Sequence, residues 1–124
     1  MPALIAVVDD DQRILQSLEN LLESAGYAVR LFASAAALLE APGLGQIACV
    51  LSDINMPLID GLELSRLLQA ARPGLPIILI TGHPEMLDRS SPPIRYRLFT
   101  KPFNPDELLA AINEVLRNAP ATRS

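Results

Sequence analysis

Leu4-Ile5-Ala6-Val7-Val8 is an unbroken apolar run that stops at three consecutive aspartates, Asp9, Asp10 and Asp11. A run with no polar alternation describes a strand covered on both faces, as in the centre of a parallel sheet. The pattern returns along the chain. Ile47 to Ser52 is almost wholly apolar and ends at Asp53, and Pro76 to Ile80 ends at Thr81. Tyr27 to Phe32 and Tyr96 to Thr100 read as two more strands, the last followed by Lys101.

Helical spacing fills most of the intervals. Ile14, Leu15, Leu18, Leu21, Leu22 and Ala25 form one apolar stripe, with Asp11 as cap and Gly26 as stop. Ser34 to Leu39 is a short helix halted near Pro42-Gly43. Asp60 and Glu63 make a capping box ahead of Leu64, Leu67, Leu68 and Ala71, and Pro73-Gly74 ends that helix. Asn104, Pro105 and Glu107 open the last helix, whose inner face is Leu108, Leu109, Ile112, Val115 and Leu116. His83 to Arg95 is different: with Pro84, Pro92 and Pro93 it supports roughly one or two helical turns, over 84–89. Strands alternating with helices predict right-handed crossovers and a doubly wound α/β domain. Its five-stranded parallel sheet would carry a shortened or irregular fourth helix. The 124 residues suit one such domain, with a core over about 3–117 and a tail at 118–124.

Composition narrows the function. Net charge is −4 and no cluster of Lys and Arg stands out, which argues against direct nucleic-acid binding. No apolar stretch approaches the ~20 residues of a membrane span, and no basic segment precedes Leu4 as in a signal peptide. A cytoplasmic protein is the expectation. The single cysteine, Cys49, lies in an apolar strand and reads as a small core residue.

In a doubly wound sheet the functional crevice lies at the carboxyl ends of the strands. Those ends carry Asp9 and Asp10, Asp53, Thr81 and Lys101. Converging carboxylates repel one another and favour a hard divalent cation with oxygen ligands; Mg²⁺ suits few protein oxygens and retained waters. A metal, a carboxylate nucleophile, an ammonium and a hydroxyl suit phosphoryl transfer to the carboxylate. Singly, each residue has an ordinary explanation. Asp11 and Asp60 are helix caps, and a lone Lys101 or Thr81 would be a solvated side chain. His83 has no local partner and reads as a loop residue. Only the joint occurrence at four strand ends lifts the functional reading.

Four segments taken together resemble the receiver domain of bacterial two-component response regulators. They are Val7-Val8-Asp9-Asp10, Leu51 to Pro57 with Asp60-Gly61-Leu62-Glu63, Ile80-Thr81-Gly82 and Thr100-Lys101-Pro102-Phe103. The resemblance runs from about Ala3 to Leu116 and implies a flavodoxin-like (βα)5 fold. It implies that Asp53 is the phosphoacceptor and that Asp10 is a direct metal ligand. Asp9 would act mostly through water, and the backbone carbonyl of Asn55 would be a third protein ligand to Mg²⁺. Thr81 would supply the hydroxyl that moves to the phosphoryl group, Lys101 would pair with acceptor and phosphoryl oxygens, and Lys101-Pro102 would be cis. The partners implied are a histidine kinase or phosphotransfer protein as donor and a downstream effector domain or protein, with a homodimer as the assembly to look for. The domain would catalyse its own phosphorylation and dephosphorylation only, and would not otherwise be an enzyme. Gly26-Tyr27-Ala28-Val29 and Phe32-Ala33-Ser34-Ala35 resemble receivers of the nitrogen-fixation and nitrate-response type of regulator.

Two features depart from the family pattern. Leu98 stands three residues before Lys101, where the family carries an aromatic, and the segment between Thr81 and Lys101 is rich in proline. Other readings fit less well. A haloacid-dehalogenase-type phosphatase would want Thr or Val at Arg13 and a cap domain. A flavin- or nucleotide-binding domain would want a phosphate loop where three aspartates stand. A pseudo-receiver, a binding module not switched by phosphorylation, is the runner-up. Loss of the acceptor or the lysine would mark it, and Asp53 and Lys101 are both present.

Overall fold

The computed structural model describes residues 2–82 and 97–118. Five strands, β1 (Leu4–Val8), β2 (Ala28–Phe32), β3 (Cys49–Asp53), β4 (Ile77–Thr81) and β5 (Arg97–Thr100), form one parallel sheet in the order β2-β1-β3-β4-β5. Four α-helices are present among the described residues: α1 (Gln12–Ser24), α2 (Ala35–Glu40), α3 (Gly61–Ala71) and α4 (Pro105–Asn118). The helix expected over 84–89 lies outside the described residues.

Alternation along each strand divides the core in two. Ala6, Val8, Val50 and Leu79 face Leu38 of α2 and Leu64 and Leu68 of α3. Ile5, Val7, Leu51, Ile78 and Ile80 face Leu15, Leu18 and Leu22 of α1 and Leu108 and Ile112 of α4. Each such leucine contributes roughly 1.5–3 kcal/mol on burial, so these stripes hold the helices onto the sheet.

The caps explain where helices start. The Asp11 carboxylate accepts from Arg13 N at 2.9 Å, Ser34 Oγ accepts from Ala37 N at 3.1 Å, and Asp60 accepts from Glu63 N at 2.8 Å. Asn104 Oδ1 accepts from Asp106 N and Glu107 N at 2.8 and 3.2 Å. One helical stripe differs from expectation. On α3 the buried positions are Gly61, Leu64, Ser65 and Leu68, while Leu67 is 37% exposed. The Ser65 hydroxyl is therefore buried, and it has no hydrogen-bond partner.

The winding direction reverses between β1 and β3, since the chain goes to β2 on one side and to β4 and β5 on the other. A crevice opens at that point, outside the carboxyl ends of the two strands.

Candidate functional site

Asp9 directly follows β1, and its backbone is fixed by Asp9 N donating to Phe32 O at 3.1 Å. Asp53 is the last residue of β3, and Ile54 N, donating to Ile80 O at 2.8 Å, carries the sheet pairing past it. Thr81 ends β4 in the same way, and Lys101 N donates to Thr81 O at 2.8 Å just beyond β5. The four strand ends named from the sequence thus come to one rim. The Lys101-Pro102 bond is cis.

Asp9, Asp10 and Asp53 each offer a carboxylate oxygen, and these oxygens lie within 4.8 Å of one another. Asp9 and Asp53 are 3% and 6% exposed, whereas Asp10 is exposed. Lys101 Nζ stands 3.4 Å from Asp53 Oδ1 and 3.8 Å from Asp9 Oδ2. These are ion-pair separations, longer than a charge-assisted hydrogen bond. Asp53 Oδ1 accordingly is buried without a hydrogen-bond partner. Thr81 Oγ1 donates to Asn55 Oδ1 at 2.9 Å, a side-chain link the sequence reading did not anticipate.

Burial dominates the electrostatics. It pushes the Asp9 carboxyl up from 3.8 to about 6; the Asp53 charge adds to the rise, while the Asp11 amide and Lys101 oppose it. Asp53 is also raised, chiefly by burial, against the pull of the Lys101 ammonium and the Asn55 amide. A lysine at this range does not fully compensate two desolvated carboxylates. An unpartnered buried oxygen among three hard oxygen donors fits a divalent cation of the Mg²⁺ type.

The profile of the response regulator receiver domain matches residues 5–113. The chain belongs to this family. As a receiver domain of two-component response regulators it is a signalling module. It is 40% identical over 130 residues to the transcriptional regulatory protein FixJ of Bradyrhizobium diazoefficiens, covering 97% of this chain and 60% of FixJ. To the response regulator protein TodT of Pseudomonas putida it is 36% identical over 124 residues, covering 98% of this chain and 55% of TodT. The receiver therefore spans little more than half the length of these relatives. Among solved structures it is similar to the response regulator TrrA of Thermotoga maritima, in complex with Mg²⁺ and beryllofluoride. The TM-score is 0.81 at 30% identity, covering 91% of this chain and 98% of that one.

Away from the rim, Leu98 of β5 lies opposite Leu79 and is 40% exposed. Phe99 turns to the other face and packs with the α1 and α4 core. Pro92, Pro93 and His83 lie outside the described residues. Among those residues, no helix is long and apolar enough to cross a membrane.

Proposed function

We propose that this receiver accepts a phosphoryl group on Asp53, with Mg²⁺ beside it, from the phosphohistidine of a partner histidine kinase or phosphotransfer protein. The observation that supports this most strongly is the meeting of Asp9, Asp10 and Asp53 within 4.8 Å, with Lys101 3.4 Å from the acceptor. An Asp53 carboxylate oxygen attacks phosphorus. The new O–P bond forms as the P–N bond to the donor imidazole breaks, and the imidazole leaves with the electron pair. Lys101 neutralises charge that gathers on the phosphoryl oxygens. Asp10 and Asp53 would hold the ion with the backbone carbonyl of Asn55, and Asp9 mostly through water. When bound, the ion supplies positive charge that offsets the carboxylates and polarises the phosphoryl group. The complex of the similar TrrA with Mg²⁺ and beryllofluoride accords with this reading.

The Thr81 hydroxyl, bonded to Asn55 Oδ1 at 2.9 Å, exchanges that partner for a phosphoryl oxygen. Phosphorylation then biases a two-state equilibrium toward the form that acts on a downstream effector domain or protein. On this reading the domain works in the cytoplasm, and nucleic-acid contact belongs to the effector. The test is incubation with phosphoramidate and Mg²⁺, followed by mapping of the acid-labile, hydroxylamine-sensitive modification. The label should fall on Asp53 and vanish in Asp53→Asn. A label on Asp60, or one that persists in Asp53→Asn, rejects the assignment.

A further inference from the structure

Gly61 occupies the first position of α3, directly after the cap Asp60. Its backbone gives no reason for a glycine there. Gly26, Gly43 and Gly74 adopt positive φ, and Gly61 does not. The reason is steric. A Cβ on Gly61 would lie 2.6 Å from the carbonyl oxygen of Asp53, 2.8 Å from Ile54 Cα and 3.1 Å from the Asp53 carbonyl carbon. All three are backbone atoms, which cannot swing aside as a flexible side chain can. The first turn of α3 is thus seated directly on the peptide that leaves the acceptor.

Hydrogen bonds fix the same contact. Ile54 O accepts from Gly61 N at 2.9 Å and from Met56 N at 3.0 Å, so Gly61 and Ile54 close the loop that carries Asn55. Asp60 caps α3 at the foot of that loop. The contact therefore governs two groups at once: the Asp53 carboxylate, set by its own backbone, and Asn55, which holds Thr81.

We propose that Gly61 is a positioning residue for the acceptor. By omitting a side chain it sets the Asp53–Ile54 backbone, and hence where the Asp53 carboxylate stands relative to Asp9, Asp10 and Lys101. The proposal rests on the reading of Asp53 as phosphoacceptor. In Gly61→Ala, restoring ordinary contact at 3.4 Å requires a backbone shift of roughly 0.8 Å. A misplacement of ~1 Å at a reacting group costs on the order of 100-fold in rate.

The experiment compares wild type, Gly61→Ala and Gly45→Ala. Gly45 is a matched control, because an added Cβ there meets nothing within 4 Å. Three readouts are taken: far-ultraviolet circular dichroism, the rise in melting temperature caused by Mg²⁺, and the rate of Asp53 phosphorylation by phosphoramidate. The ion-induced rise measures site quality separately from the starting stability. All are repeated in trimethylamine N-oxide, which favours the folded state. The expected result is a folded Gly61→Ala with a reduced Mg²⁺ response and phosphorylation on the order of 10–100-fold slower, and a Gly45→Ala that behaves as wild type. Wild-type Mg²⁺ response and rate in Gly61→Ala overturn the proposal. So does a variant that stays unfolded in the osmolyte, because Gly61 would then serve packing alone. If wild type itself takes no phosphoryl group, the acceptor reading fails, and the Mg²⁺ response alone decides whether Gly61 positions the carboxylates.

Discussion

The rim at β1 and β3 and the edge at β5 belong to one sheet but are built to different standards. At the rim, Asp9 and Asp53 are 3% and 6% exposed, held by sheet hydrogen bonds and abutted by the first turn of α3. At the edge, β5 has one neighbouring strand, and its Leu98 is 40% exposed. A central strand end, fixed from both sides, can hold carboxylates within reach of one ion. Leu98 fills less volume than an aromatic and has no polar tip to bury or expose. If Asp53 is the acceptor as proposed, phosphoryl chemistry at the rim and its readout at β5 are expected to be separable.

Lys101 joins the two regions, so its removal is the most severe test. Lys101→Ala should slow phosphorylation by small donors on the order of 100-fold. Mg²⁺ affinity should hold or rise, because an ammonium near two of the carboxylates repels the cation. Parallel kinetics and calorimetric titration check this; loss of metal binding together with activity would show that Lys101 holds the carboxylates in place rather than acting on the phosphoryl group alone.

Next in size is the pH dependence of the metal-free rim. Asp9 is raised from 3.8 to about 6, so below 3.8 it is protonated in both folded and unfolded chains and contributes nothing. As pH climbs from 3.8 through 6, the unfolded chain releases this proton first, and the fold loses up to roughly 3 kcal/mol at Asp9. Asp53, also raised, acts in the same direction. Urea denaturation in chelator should give a lower midpoint at pH 7.5 than at pH 5. Mg²⁺ should restore it at pH 7.5, and Asp9→Asn should flatten the difference. A midpoint that rises over this interval in wild type but not in Asp9→Asn would contradict the burial of Asp9.

Asp10→Ala should weaken Mg²⁺ on the order of 10-fold, read by titration; unchanged affinity would count against the carboxylate site. The smallest effect concerns Leu58, which is fully exposed and adopts φ 68. That backbone costs a leucine roughly 1–2 kcal/mol, partly offset in Leu58→Gly by the greater entropy of unfolded glycine. The variant should gain about 0.5–1 kcal/mol by denaturation. An unchanged phosphorylation rate would mean that this strain lies outside the chemistry of the rim.

Much of this was legible in the sequence because burial writes itself into apolar periodicity. Leu4–Val8 and the stripe Leu15, Leu18, Leu22 announced β1 and α1, and the polar residues ending each run named the rim. Boundaries shifted where a turn competed with a strand. Ile47 reads as strand, but Ile47 N donates to Leu44 O, and Arg72 Nη1 takes the Leu44 and Ile47 carbonyls, so β3 begins at Cys49. Tyr27 N likewise donates to Leu22 O in the turn closing α1, and β2 begins at Ala28. The approach of Gly61 to Asp53, the Thr81–Asn55 bond and the backbone of Leu58 left no periodic trace. They are contacts and angles that only the folded chain creates.

The separation of chemistry from readout is tested most directly by amide hydrogen exchange with and without Mg²⁺ and beryllofluoride, combined with sedimentation. New protection is expected around Asp9–Asp11, Asp53–Gly61, Thr81 and Lys101, with little change across α4 and little added dimer. A strong mimic-induced dimer, with protection concentrated from Pro84 through Leu116, would contradict that separation and show that the Leu98 edge still carries the signal.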